Sequence, residues 1–153
     1  MSLPTLIVCE KRGAWAALLR PHLDAGRYRL VETRSSADCR SELAAHKSAV
    51  IVWELTAQSA PEVLEQLADL QVWQGRSVSI VFARRGLENL RWTLLEAGAR
   101  HVEFSPRHAE RVAGVIRRAL EQLPQDPLSP GERIMANLPF SGLAGDKMTF
   151  NGA

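Results

Sequence analysis

Two cysteines in 153 residues, Cys9 and Cys39, are too few for the disulfide framework that staples small secreted domains. An apolar core must therefore hold the chain together, and both thiols are expected to be free in a reducing compartment. Neither sign of charge predominates: 19 Lys+Arg stand against 17 Asp+Glu, interspersed along the chain, for a net +2. That balance gives no electrostatic footprint for nucleic acid. No apolar run approaches the roughly 20 residues of a membrane span, and Met1 to Thr5 lack the basic start and long apolar stretch of a signal peptide. A soluble cytoplasmic protein, partnered by neither nucleic acid nor membrane, is the expectation.

Catalytic signatures are missing as well. There is no Gly-x-Gly-x-x-Gly, no Walker lysine loop and no Gly-x-Ser-x-Gly elbow, and Glu10-Lys11-Arg12-Gly13-Ala14 is not a Ser/Thr- and Gly-rich phosphate loop. His22, His46, His101 and His108 lack the i+3 or i+4 pairing that would hold a metal. Neither a cofactor nor a metal nor a catalytic residue is assigned, and the chain is not expected to be an enzyme.

What is present is a repeating pattern. A chain of this length with 46% hydrophobic residues can bury roughly 70% of its unfolded surface in one core. From Thr5 to Leu123, five short apolar runs alternate with segments of helical periodicity: Leu6–Cys9, Tyr28–Val31, Val50–Trp53, Val78–Phe82 and His101–Phe104. Such alternation marks a parallel α/β sheet. The first, third and fourth runs are nearly all apolar, as in strands covered on both faces. The second and fifth carry interleaved polar residues and read as nearer the sheet edges.

The helical segments bring their own punctuation. Ser35 and Ser36 cap a segment with Cys39 and Leu43 on one face, and Ser59 precedes a helix with Pro61 in its first turn and Val63, Leu64, Leu67 and Leu70 inward. Leu87, Leu90 and Leu94 line a helix that ends at Gly98, and His108 to Leu123 form the last helix, with Val112, Val115, Ile116 and Ala119 inward. Pro21 falls inside the first helical segment and should shorten it by a turn. Beyond Leu123, four prolines and four glycines crowd the remaining residues. Residues 124–153 therefore read as a tail or linker after a domain of residues 1–123, with Ile134-Met135 and Leu138-Pro139-Phe140 as apolar islands able to dock as a peptide.

Ligands of an open parallel sheet collect at the carboxyl ends of its strands. There the chain carries Cys9-Glu10-Lys11, Glu54-Leu55-Thr56, Ala83-Arg84-Arg85 and Ser105-Pro106. Together with Thr5–Glu10, Val50–Leu55 and Glu96-Ala97-Gly98-Ala99 leading to Phe104-Ser105-Pro106, this order resembles the receiver domain of bacterial response regulators over about residues 4 to 123. The resemblance implies a flavodoxin-like α/β fold: a doubly wound, five-stranded parallel sheet of order 2-1-3-4-5 with helices on both faces.

It also implies a phosphotransfer pocket, with an acidic pair for magnesium after strand one and a phosphoryl-accepting aspartate ending strand three. A Ser or Thr ends strand four, and a lysine precedes the proline after strand five. Carried over, those positions hold Cys9 and Glu10, Glu54, Ala83, and Ser105 before Pro106. A thiol is a poor partner for magnesium, which wants hard oxygen ligands at about 2.0 to 2.1 Å. Ser105 brings no positive charge to phosphoryl oxygens and Ala83 no hydroxyl. Val102 replaces the family's rotating aromatic. The pattern is that of a degenerate pseudo-receiver.

The function so implied is a phosphorylation-independent protein-interaction or scaffold module in bacterial signalling. One alternative makes Glu54 a mimic of the phosphorylated acceptor and the domain constitutively active-like. Another, from a different class, is a small thiol-dependent enzyme using Cys9 beside Arg12, although the Cys-x5-Arg spacing of cysteine phosphatases meets Trp15 here. The candidate interaction surface comprises Arg91, Trp92, Val102, Arg107 and Arg111. Helical geometry puts Trp92 about 140° from Leu87 and so away from the core. The resemblance places homodimer pairing or partner recruitment on this face of the fourth helix, fifth strand and fifth helix.

Overall fold

The computed structural model describes residues 3–73 and 75–124; the tail assigned to 124–153, but for Pro124, lies outside them. Among the described residues, five strands and five α-helices alternate: β1 (Thr5–Cys9), α1 (Ala14–Leu19), β2 (Arg29–Thr33), α2 (Ser36–Ala44), β3 (Val50–Leu55), α3 (Ala60–Trp73), β4 (Val78–Ala83), α4 (Arg91–Glu96), β5 (Ala99–Glu103) and α5 (Ala109–Gln122), with 3-10 turns at Arg20–His22, Glu88–Leu90 and Pro106–His108. The strands form one parallel sheet of order β2-β1-β3-β4-β5. The doubly wound order that the resemblance implies is thus the one observed.

Strand alternation sends successive side chains into two layers. Leu6, Val8, Val50, Val52, Ile80 and Phe82 pack under α1 and α5, against Trp15, Leu19, Val112 and Ile116. Ile7, Ile51, Trp53, Leu55 and Val81 pack on the other face with Cys39, Leu43, Val63, Leu67 and Leu94 from α2, α3 and α4. Trp53 satisfies its one polar atom by donating Nε1–H to Ser79 Oγ at 3.3 Å.

Local signals act where expected. The α-helix α1 stops at Leu19 and the chain tightens into a 3-10 turn, Arg20–His22, containing Pro21. Ser35 Oγ accepts the Asp38 N–H at 3.1 Å and caps α2. Gly98 follows α4 at φ 120°, a conformation that disfavours any residue with a Cβ.

The edge strands are displaced from the apolar runs that announced them. β2 extends to Thr33 and β5 begins at Ala99, because an edge strand needs no continuous apolar signature at its ends. A bulge shifts the β4–β5 register from Ser79↔Ala99 to Ile80↔His101, leaving Arg100 as the extra residue. Among the described residues, no helix is long and apolar enough to cross a membrane.

Candidate functional site at the carboxyl edge of the sheet

At the end of β1, neighbouring residues go separate ways. Cys9 packs into the layer that contains Cys39, and its thiol reaches Ser35 O at 3.7 Å. A hydrogen bond from the Cys39 thiol, opposed by burial and aided by Thr33, lowers the Cys9 thiol to about 7. Cys39 is pushed up by the same partnership and by its own burial.

Glu10 turns back on its own chain. It is only 3% exposed, and its carboxylate accepts the backbone N–H groups of Trp15 at 2.7 Å and Ala16 at 3.4 Å. These are first-turn donors of α1, whose N-cap, Gly13, has no side chain to satisfy them. Burial raises the Glu10 pKa against the pull of those two N–H donors; the nearby charge of Glu54 raises it further and Arg34 opposes.

Glu54 lies beside Phe82 in the β3–β4 register. Phe82 is fully buried and stacks on Trp15, with ring centroids 3.9 Å apart and planes at 14°. Ala83 pairs with Leu55 instead and packs in the α2–α3–α4 layer. The β4 residue sharing Glu54's face is therefore an aromatic ring one position before the alanine singled out in the sequence.

After β5, Ser105 Oγ accepts the Arg107 N–H at 3.3 Å and caps the 3-10 turn Pro106–His108. The residue that organises this loop is Glu103, which sequence reasoning passed over. Its Oε1 accepts from Phe104 N at 3.0 Å and Ser105 N at 3.1 Å, and His108 Nδ1 lies at 2.9 Å. Burial would raise the Glu103 pKa, but these bonds, that to His108 foremost, outweigh it and hold the carboxyl below its ordinary value. Its sequence signal, a lone acid in an apolar strand end, is too weak to single out.

The magnesium that a receiver pocket implies does not fit these residues. Cys9 lies in the α2 layer, both Glu10 oxygens are engaged by backbone donors, and Phe82 flanks Glu54. Among the described residues, no cluster of three His, Cys, Asp or Glu could hold a metal ion. The strand ends instead enclose an open cleft of about 610 Å³, lined by Lys11, Arg12, Glu54, Thr56, Ala57, Gln58 and the Arg84–Leu87 turn. Of the six residues assigned to the pocket from sequence, Glu54 lines this cleft, while Cys9, Glu10, Ala83, Ser105 and Pro106 do not. The missed signal was a pair of basic doublets, Lys11-Arg12 and Arg84-Arg85, after the two strands that flank β3.

No family model matches the chain, nor does any curated protein. Solved structures do. A response regulator from Thermotoga maritima superposes with TM-score 0.68 at 12% identity, covering 78% of this chain and 99% of its own. An atypical orphan response regulator, described with a phosphorylation-independent regulatory mechanism, gives 0.65 at 13%, covering 80% and 99%. The beryllofluoride-activated NtrC4 receiver domain dimer gives 0.62 at 18%, covering 78% and 98%. The fold is that of a response-regulator receiver domain.

On this receiver-like domain the candidate interaction residues separate. Trp92 is 73% exposed on α4, and its neighbour Arg91 places its guanidinium 4.8 Å from the centroid of the Phe104 ring. Arg107 and Arg111 are exposed and line an open trough along α5 with Arg117 and Arg118, interrupted by Glu110 and Glu121. Val102 does not belong to the surface. It is 3% exposed and packs with Leu94 and Phe104, because the β5 side chain that alternation sends under α4 is the apolar one.

Proposed function

We propose that this chain is a pseudo-receiver, a phosphorylation-independent protein-docking module of bacterial cytoplasmic signalling and not an enzyme. Residues 1–123 form the domain and 124–153 a tail or linker. The observation that carries the reading is Glu10: the carboxylate left at the metal position is spent capping α1. Phe82 beside Glu54 and the uncharged Ser105 support it further, since neither offers what a phosphoryl group needs. The likeness to an orphan regulator with a phosphorylation-independent mechanism points the same way.

Docking centres on Trp92, with Arg91 beside it. A mostly exposed tryptophan next to an arginine has the composition of a binding hot spot, and the likeness to a receiver dimer favours a second copy as one partner. Glu54 as a phosphomimetic finds no hydroxyl at Phe82 through which to act. The thiol-enzyme reading separates Cys9 from Arg12, which lines the cleft that Cys9 does not.

The test is sedimentation of the full chain together with co-purification from its native cells, using wild type, Trp92→Ala and Glu54→Gln. The expected result is loss of self-association or of a reproducible partner in W92A and its retention in E54Q. Loss in E54Q with retention in W92A would overturn the reading in favour of the phosphomimetic.

A further inference from the structure

We propose that the cleft at the ends of β1, β3 and β4 is a metal-independent binding site for a small anion bearing a diphosphate group. Lys11 and Arg12 follow β1, Arg84 and Arg85 follow β4, and β3 runs between those strands with Glu54 at its end. The topology thus brings four cations to one concavity that holds a single carboxylate. None of the four basic side chains has an ion pair or side-chain hydrogen bond with a described residue. Arg20 and Arg34, by contrast, both pair with Glu32. Like charges gathered around one cleft repel one another, and an anion entering it would relieve that repulsion.

The lining also limits what the anion carries. Guanidinium forks match phosphate oxygens two at a time, so a pair of arginines with a further arginine and a lysine opposite suits two linked phosphates better than a single carboxylate. Among the lining residues there is no aromatic ring on which a base could stack. Recognition therefore falls on the phosphates, whether free or carried by a nucleoside. Glu54 opposes the anion by its charge, and this sets the proposal apart from any reading in which Glu54 stands in for a phosphate. It is also independent of docking through Trp92, which lies outside the cleft.

The experiment is a titration of the full chain with inorganic pyrophosphate in EDTA, followed by amide shifts in two-dimensional NMR, with ADP as a second arm. The expected result is saturable shifts at Thr56–Gln58 and Arg84–Leu87. Arg84→Ala with Arg85→Ala should weaken binding by at least about tenfold, and Glu54→Gln should tighten it. Arg117→Ala with Arg118→Ala should leave it unchanged. Equal affinity for pyrophosphate and ADP would assign recognition to the phosphates alone, and tighter ADP would add a contribution from the nucleoside. Absence of saturation, unchanged affinity in the Arg84/Arg85 variant with its native spectrum intact, or loss in the Arg117/Arg118 variant would overturn the proposal. So would binding that appears only when magnesium replaces EDTA. The Trp92→Ala variant should titrate like wild type, which keeps failure of this site distinguishable from failure of the docking surface.

Discussion

The Trp15 backbone N–H donates to the Glu10 carboxylate at 2.7 Å, so the acid that follows β1 serves as the missing cap of α1. Replacing Glu10 by alanine strands two first-turn donors in a buried setting and should cost about 1 to 2 kcal/mol of stability. Gln, which keeps an acceptor oxygen without the buried charge, should recover most of it. Chemical denaturation of the three proteins at neutral pH measures both effects.

Magnesium and beryllofluoride should leave the domain unmoved. With Glu10 engaged and Phe82 packed beside Glu54, the hard oxygen ligands that the ion requires are not assembled. Amide shifts and tryptophan fluorescence should stay flat across a millimolar titration, whereas saturable changes around Glu10 and Glu54 would restore a phosphorylatable pocket.

Stability should fall in acid partly through Glu103. Its folded pKa lies below the unfolded value, so it stabilises the fold above the ordinary glutamate range, about 4.3, and that contribution is lost as pH drops through the folded pKa. Removing the His108 hydrogen bond with His108→Ala should shrink the depression, flattening the stability profile between pH 6 and pH 3 as followed by urea unfolding.

Cys9 should be the more reactive thiol. With its pKa lowered to about 7 and its side chain partly exposed, it should react with iodoacetamide ahead of the fully buried Cys39. Cys39→Ala removes the thiol that stabilises the Cys9 thiolate, so the midpoint of the pH–rate profile should move upward. Mass spectrometry of the alkylated peptides reads both results.

Trp92 should separate stability from contact. At 73% exposure, its replacement by alanine should change folding stability by less than about 0.5 kcal/mol while removing self-association or partner binding. A large loss of thermal stability in W92A would instead assign the ring to the domain's own packing.

Sequence by itself determined the fold class, because the controlling signals are local. Apolar runs covered on both sides, the Ser35 cap, Pro21 ending α1 and Gly98 after α4 each act within a few residues, whereas the strand order followed only from the resemblance they carry. It also put Trp92 on the outside, although the helix read through Leu87, Leu90 and Leu94 is shorter than expected: only Leu94 lies in α4, Leu90 closes a 3-10 turn, Glu88–Leu90, and Leu87 precedes it. The tertiary structure decided the rest. A shift of one residue along β4 exchanges Ala83 for Phe82 beside Glu54, and one along β5 turns Val102 inward, because neighbouring strand residues face opposite layers. The purpose of Glu10 is set by donors five and six residues ahead, which only the turn into α1 aims at it. Lys11-Arg12 and Arg84-Arg85, distant in the chain, become one basic cleft only because the sheet places β3 between β1 and β4.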